Sequence, residues 1–168
     1  CSGRVDAPYP GSGTNQPCAW LHPYWVMNSD GTAWTIIGGD TLIISSGSYM
    51  IGYGAPNTAW CDAEGAYACV LPSIPSGPDP YHPTKILGKG WDSGCTNPPE
   101  LWGTERLERV LSLRNSSNVV IDCLEITDHL GCGYNHANHS VRCEYDHHPY
   151  GAWAYEGILA CLLYTSDA

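Results

Sequence analysis

The residues of this chain best suited to chemistry sit in one insertion, His129 to His148, reading HLGCGYNHANHSVRCEYDHH. It holds five of the seven histidines, at 129, 136, 139, 147 and 148, with Cys132 and Cys143 among them. Soft thiolate and imidazole ligands suit zinc, and Cys132, His136, His139 and Cys143 could close a tetrahedron, although the spacing is not that of a familiar zinc finger. The competing expectation is a disulfide between Cys132 and Cys143, and the even count of eight cysteines that is left once Cys161 is set aside, in an oxidising compartment, favours it over zinc. Carboxylates form the other group, with Asp122, Glu125, Asp128, Glu144, Asp146 and Glu156 gathered near the same insertion. A nucleophile elbow and a phosphate-binding glycine loop are both lacking, and Gly52-Tyr53-Gly54 is turn punctuation rather than a dinucleotide fingerprint. Asn115-Ser116-Ser117 and Asn138-His139-Ser140 fit the N-glycosylation pattern, which is common by chance and matters only in a eukaryotic secretory route.

The elements that would have to position these groups are short strands. Val110 to His129 packs three alternating apolar pairs, Leu111/Leu113, Val119/Ile121 and Leu124/Ile126, into very few residues. Each pair sends two side chains to one face, and the polar breaks at Arg114 to Asn118 and Asp122-Cys123 leave room for corners but not for hairpins or helices. This is the pattern of one coil of a parallel β-helix. An earlier coil is expected from Trp34 to Ile37, Thr41 to Ser45 and Tyr49 to Ile51, separated by glycine-containing turns. A second begins at Thr84-Lys85-Ile86-Leu87, detours through Gly88 to Glu108 and continues over Val110 to Thr127. Glu156 to Ala160 then reads as a strand stacking on Arg109 to Leu113, with Ile158 over Leu111. Asn118 is expected at a corner, where asparagine tolerates left-handed backbone and its side chain could ladder with neighbours. Pro99 to Arg109 could hold one helical turn.

Lys85-Ile86-Leu87-Gly88-Lys89-Gly90 followed by Asn118 to Ile126, NVVIDCLEI, resembles the right-handed parallel β-helix proteins of the pectate-lyase-like superfamily, with the nearest likeness to bacterial β-helix repeat proteins. The resemblance covers about 45 residues and concerns fold more than function. It implies an all-β domain over residues 1–160, comprising an irregular N-terminal cap at 1–33, the first two to three coils, and long loop insertions at 55–83 and 128–150. It also implies an extracellular protein that interacts with polysaccharide, either a polysaccharide lyase or glycoside hydrolase or, alternatively, a non-catalytic adhesin-type β-helix. In such lyases, carboxylate-held calcium neutralises a uronate so that an Arg or Lys base can remove its C5 proton. Glu125, Asp128 and Glu156 are the residues here that would hold calcium. The catalytic residues are unassigned, the base being expected beyond Ala160, and no adjacent aspartate pair of the kind used by β-helix glycosidases is present.

The last eight residues, Cys161 to Ala168, resemble translated sequencing adaptor, so Ala160 is expected to be the last native residue, in a frame cut at its C-terminus. Setting Cys161 aside leaves eight of the nine cysteines, scattered among Gly, Pro and Trp, which argues for disulfides and secretion to an extracellular or periplasmic setting. Cys61 and Cys69 are expected to pair across their short loop. Cys1/Cys18 and Cys95/Cys123 remain by elimination. A formal charge of −10 disfavours nucleic acid and anionic membrane, and no apolar run approaches a membrane span. Phe is absent while 11 Tyr and 7 Trp supply the aromatic rings, a composition that fits sugar-binding surfaces or, equally, a narrow core that pushes large rings outward.

Overall fold

The computed structural model describes Trp20 and residues 22–56, 58–61, 69–104, 107–127, 129, 154 and 156–160. Among these residues the chain is all-β apart from two single 3₁₀ turns, Pro23–Val26 and Ala59–Cys61. Eight strands form: β1 (Thr41–Ile44), β2 (Ser48–Ile51), β3 (Thr84–Gly88), β4 (Glu100–Gly103), β5 (Arg109–Ser112), β6 (Val119–Asp122), β7 (Glu125–Thr127) and β8 (Glu156–Leu159). They build three sheets, ordered β1-β3-β6, β2-β4-β7 and β5-β8, and every pairing between them is parallel. On successive passes the chain therefore visits the first, second and third sheet in the same order.

Stacking in register places like on like. Leu42, Ile86 and Ile121 form one row across the first sheet, and Tyr49, Leu101 and Ile126 form another across the second. Alternation sends these rows inward and leaves Ile43 and Val120 on the opposite face. The middle member of each row has a neighbour on both sides and is buried completely, with Ile86 at 0% and Leu101 at 2% relative exposure. Tyr24, Val26 and Met27, around the first 3₁₀ turn, pack with Ile44, Ile51, Leu71, Val110 and Leu111 in the same cluster. The gap left between these side chains is only about 20 Å³ and apolar in lining, too small for any ligand beyond a single water.

The expected stacking of Glu156–Leu159 on β5 is present, with Ile158 opposite Leu111. Ile158 nonetheless stays 47% exposed. The coil boundaries differ from the sequence reading. β4 occupies the supposed detour, so β3, β4 and β5 belong to one pass and β6 opens the next. Between Pro99 and Arg109, a stretch that could hold one helical turn, the described residues hold β4, a hydrogen bond from the Leu107 N–H to the Thr104 carbonyl and the start of β5. Pairing on both edges, with β2 and β7, favours the extended form over local propensity. Trp34 to Ile37 is not a strand of the first pass either. Trp34 makes an isolated antiparallel bridge with Met27, closing a turn in which the Asn28 and Asp30 side chains accept the backbone N–H groups of Ala33 and Thr32.

Residues 55–83, read from the sequence as one loop, divide in the structure. Cys69 pairs in parallel with Leu107, the Ile74 N–H donates to the Ser112 carbonyl, and Cys69, Leu71 and Ile74 are buried. This stretch thus lies beside β5 and supplies the third side of the first pass. Pro72 and Pro75 lack N–H donors, so no regular ladder forms there.

The corner that follows is locked between passes. Asn118 adopts the left-handed conformation at φ 52°, and its side-chain amide donates to the Gly77 carbonyl at 3.1 Å, so the asparagine expected at a corner does ladder with a neighbouring turn. Gly77 has no room for a side chain, since a Cβ would stand 2.6 Å from the Asn118 and His82 carbonyl oxygens.

Candidate functional site

The outward face of the second sheet carries the densest set of polar and aromatic groups that the fold brings together. In-register parallel pairing aligns Ser48, Glu100 and Glu125 in one row and Met50, Trp102 and Thr127 in the next. Leu101 and Ile126, between these rows, turn to the core, so Glu100, Trp102, Glu125 and Thr127 point the other way.

Glu100 is the centre of the set. One carboxylate oxygen accepts the Ser48 hydroxyl at 2.5 Å, and the other accepts the Thr127 hydroxyl at 2.5 Å and the His129 Nε2–H at 2.8 Å. A carboxylate can only accept here, which fixes the proton on His129 Nε2. The His129 ring also stacks on the Trp102 indole, with centroids 4.2 Å apart and planes 19° from parallel. The hydroxyls of Ser48 and Thr127, in that order, together with His129, outweigh partial burial and hold the Glu100 carboxyl down at about 2. It remains ionised across the physiological range, unable to donate a proton and too weak a base to take one readily.

This arrangement makes stability depend on acid in a defined direction. The folded value lies below the ordinary glutamate value of 4.5, so ionised Glu100 contributes stability above about pH 4.5 that is lost as pH falls through about 2. Allowing for its partial solvent access, the contribution is on the order of 1–2 kcal/mol. Urea denaturation at pH 7 should show Glu100→Gln less stable than the wild-type chain by that amount, with the difference shrinking between pH 4.5 and 2. A difference independent of pH would contradict the charge-based origin.

The residues singled out for calcium are separated. Glu125 is exposed beside Glu100 and has no partner among the described residues, whereas Glu156 stands in the third sheet with its carboxylate 3.5 Å from Arg109 Nε. Arg109 is buried at 6% exposure and also meets Glu108, so Glu156 helps neutralise a buried guanidinium. Asp128 lies outside the described residues, as do Cys132, His136, His139 and Cys143, so the zinc and disulfide alternatives for that insertion lie outside them too. Among the described residues no three His, Cys, Asp or Glu side chains are placed to hold a metal ion.

Cys61 and Cys69 are joined, with Cα atoms 4.8 Å apart, and Cys95 and Cys123 at 5.5 Å. The second bridge lies close in sequence to the polar face, since Cys95 precedes β4 and Cys123 leads within two residues to Glu125. No helix among the described residues is long and apolar enough to cross a membrane.

Reading the sequence alone passes over Ser48, Glu100, Trp102 and Thr127, and treats His129 only as one of five clustered histidines. A signal was present in the recurrence of Glu100-Leu101-Trp102 as Glu125-Ile126-Thr127, two stretches with the same outward-inward-outward order. No family model, no curated protein and no solved structure matches this chain. Its function therefore has to be argued from the site itself.

Proposed function

We propose that these residues form part of a secreted right-handed parallel β-helix that binds polysaccharide on the outward face of the β2-β4-β7 sheet. The repeated order in which the chain visits three parallel sheets supports the coiled architecture, and parallel strand connections strongly prefer the right hand. The two disulfides support an oxidising, extracytoplasmic setting. The observation that carries the binding reading is the Trp102–His129 stack set beside the Glu100 carboxylate on the outward sheet face. An aromatic surface suits the apolar side of a pyranose ring, and adjacent acceptors suit its hydroxyls.

Binding is the part of this reading that the face itself supports. Glu100 stays ionised and already accepts three donors, and Arg109 is buried against Glu108 and Glu156 instead of facing the polar sheet. The test is glycan binding by the intact chain and by Trp102→Ala, followed by calorimetry, with circular dichroism to confirm the fold. Loss of the aromatic surface should weaken binding about tenfold, or about 1.4 kcal/mol. Unchanged affinity in Trp102→Ala, or no binding to any glycan, would remove this face as the site.

A further inference from the structure

We infer that the polysaccharide taken by this face is a cationic one, an amino-sugar polymer whose protonated amines meet Glu125 and Glu100 while its ring faces lie against the Trp102–His129 pair. The inference rests on the carbohydrate-binding reading and narrows it to one substrate class.

Charge complementarity carries the argument. The cations among the described residues are Lys85, Lys89, Arg109 and Arg114, and none stands on β2, β4 or β7. Lys85 is on the first sheet, Arg109 is buried against two carboxylates, and Lys89 and Arg114 follow β3 and β5 at their ends. The polar face itself presents Glu100 and Glu125 on paired positions of neighbouring strands, which lie roughly 4.8 Å apart. Glu100 accepts from Ser48, Thr127 and His129, and Glu125 is exposed. A polyuronate laid along this row would set carboxylate against carboxylate. An ammonium group there gains attraction from both acids and lies close enough to an indole to gain cation–π stabilisation as well. The chain's net charge of −10 adds a long-range field that attracts polycations and repels polyanions.

The row also explains why the two acids differ. Glu100 is fixed by Ser48, Thr127 and His129, so it supplies a preorganised charge, whereas Glu125 is open to approach. The first holds its charge with no ligand present. The second is the direct partner of the amine.

The experiment is calorimetric titration of the intact chain, disulfides formed, at pH 6 with three hexamers: β-1,4-linked glucosamine, its fully N-acetylated counterpart, and oligogalacturonate with and without calcium. The glucosamine hexamer is expected to bind at least tenfold more tightly than the acetylated one and to weaken as salt is raised. Glu125→Gln, an exposed substitution that leaves the core untouched, should bring its affinity down to that of the acetylated hexamer. Trp102→Ala should weaken both. Equal affinity for the amine and its acetylated form, tighter binding of oligogalacturonate in either condition, or amine binding insensitive to Glu125→Gln would overturn the cationic assignment. A neutral or acidic glycan bound at least as tightly as the glucosamine hexamer, and in a Trp102-dependent way, would overturn it while leaving the carbohydrate reading standing, and failure of all glycans would remove both.

Discussion

Replacing Ile86 by alanine is expected to destabilise the chain by about 2–5 kcal/mol, while Val120→Ala in the same sheet changes stability by about 0.5 kcal/mol or less. Ile86 is 0% exposed between Leu42 and Ile121, so its truncation removes buried methyl groups and leaves a void that two stacked neighbours cannot both fill. Val120 projects from the other face of β6 at 39% exposure, and water takes the place of the methyl groups lost there. Urea denaturation of both variants with the disulfides intact measures the contrast. Comparable losses at the two positions would mean that the inward and outward faces of the first sheet have been exchanged.

Opening the Cys95–Cys123 bridge should cost a similar amount. Its partners are 28 residues apart in sequence, and restricting the unfolded chain over a loop of that length contributes about 3–4 kcal/mol. The Cys61–Cys69 bridge closes only 8 residues and should contribute roughly 1 kcal/mol less by the same reasoning. Paired serine substitutions, one bridge at a time, give the comparison by denaturant midpoint. The Cys95/Cys123 variant should also lose affinity at the polar face, because the bridge fixes the approaches to Glu100 and Glu125. If the 61–69 pair proved the more stabilising, loop closure would not be the dominant effect.

The strands that could be read from sequence are those with clean period-2 alternation. Leu42/Ile44, Val119/Ile121 and Leu124/Ile126 all turn toward the interior of parallel sheets, and Ile158 falls opposite Leu111 as its pattern suggested. Where alternation was thin, the reading missed. β4 has a single aliphatic residue, Leu101, between Glu100 and Trp102, and its extended form depends on β2 and β7, both far away in sequence. Cys69 to Ile74 was hidden by prolines that break the hydrogen-bond ladder without preventing burial. The polar site was the least legible part. Ser48, Glu100 and Thr127 meet only because of the register, and register is a property of pairing that no single segment carries. The carboxylates grouped for calcium were close in sequence, yet Glu125 and Glu156 belong to different sheets, the second and the third in order of visit, and one of them is occupied with a buried arginine.

The repeated order of sheet visits gives this scaffold an uneven tolerance for change. Each pass leaves the second sheet through a connection of different length, spanning residues 52–68, then 104–108, then 128–155. The strands on either side keep their registers despite that variation. Chain length at this one corner is thus decoupled from the lattice of the sheets, and the corner directly follows the strand ends that bear Trp102 and Thr127. A change of length there would alter what flanks Trp102 and Thr127 while leaving the strand pairing in place. The short 104–108 connection is held most tightly, since Thr104 and Leu107 are fully buried and Leu107 pairs with Cys69.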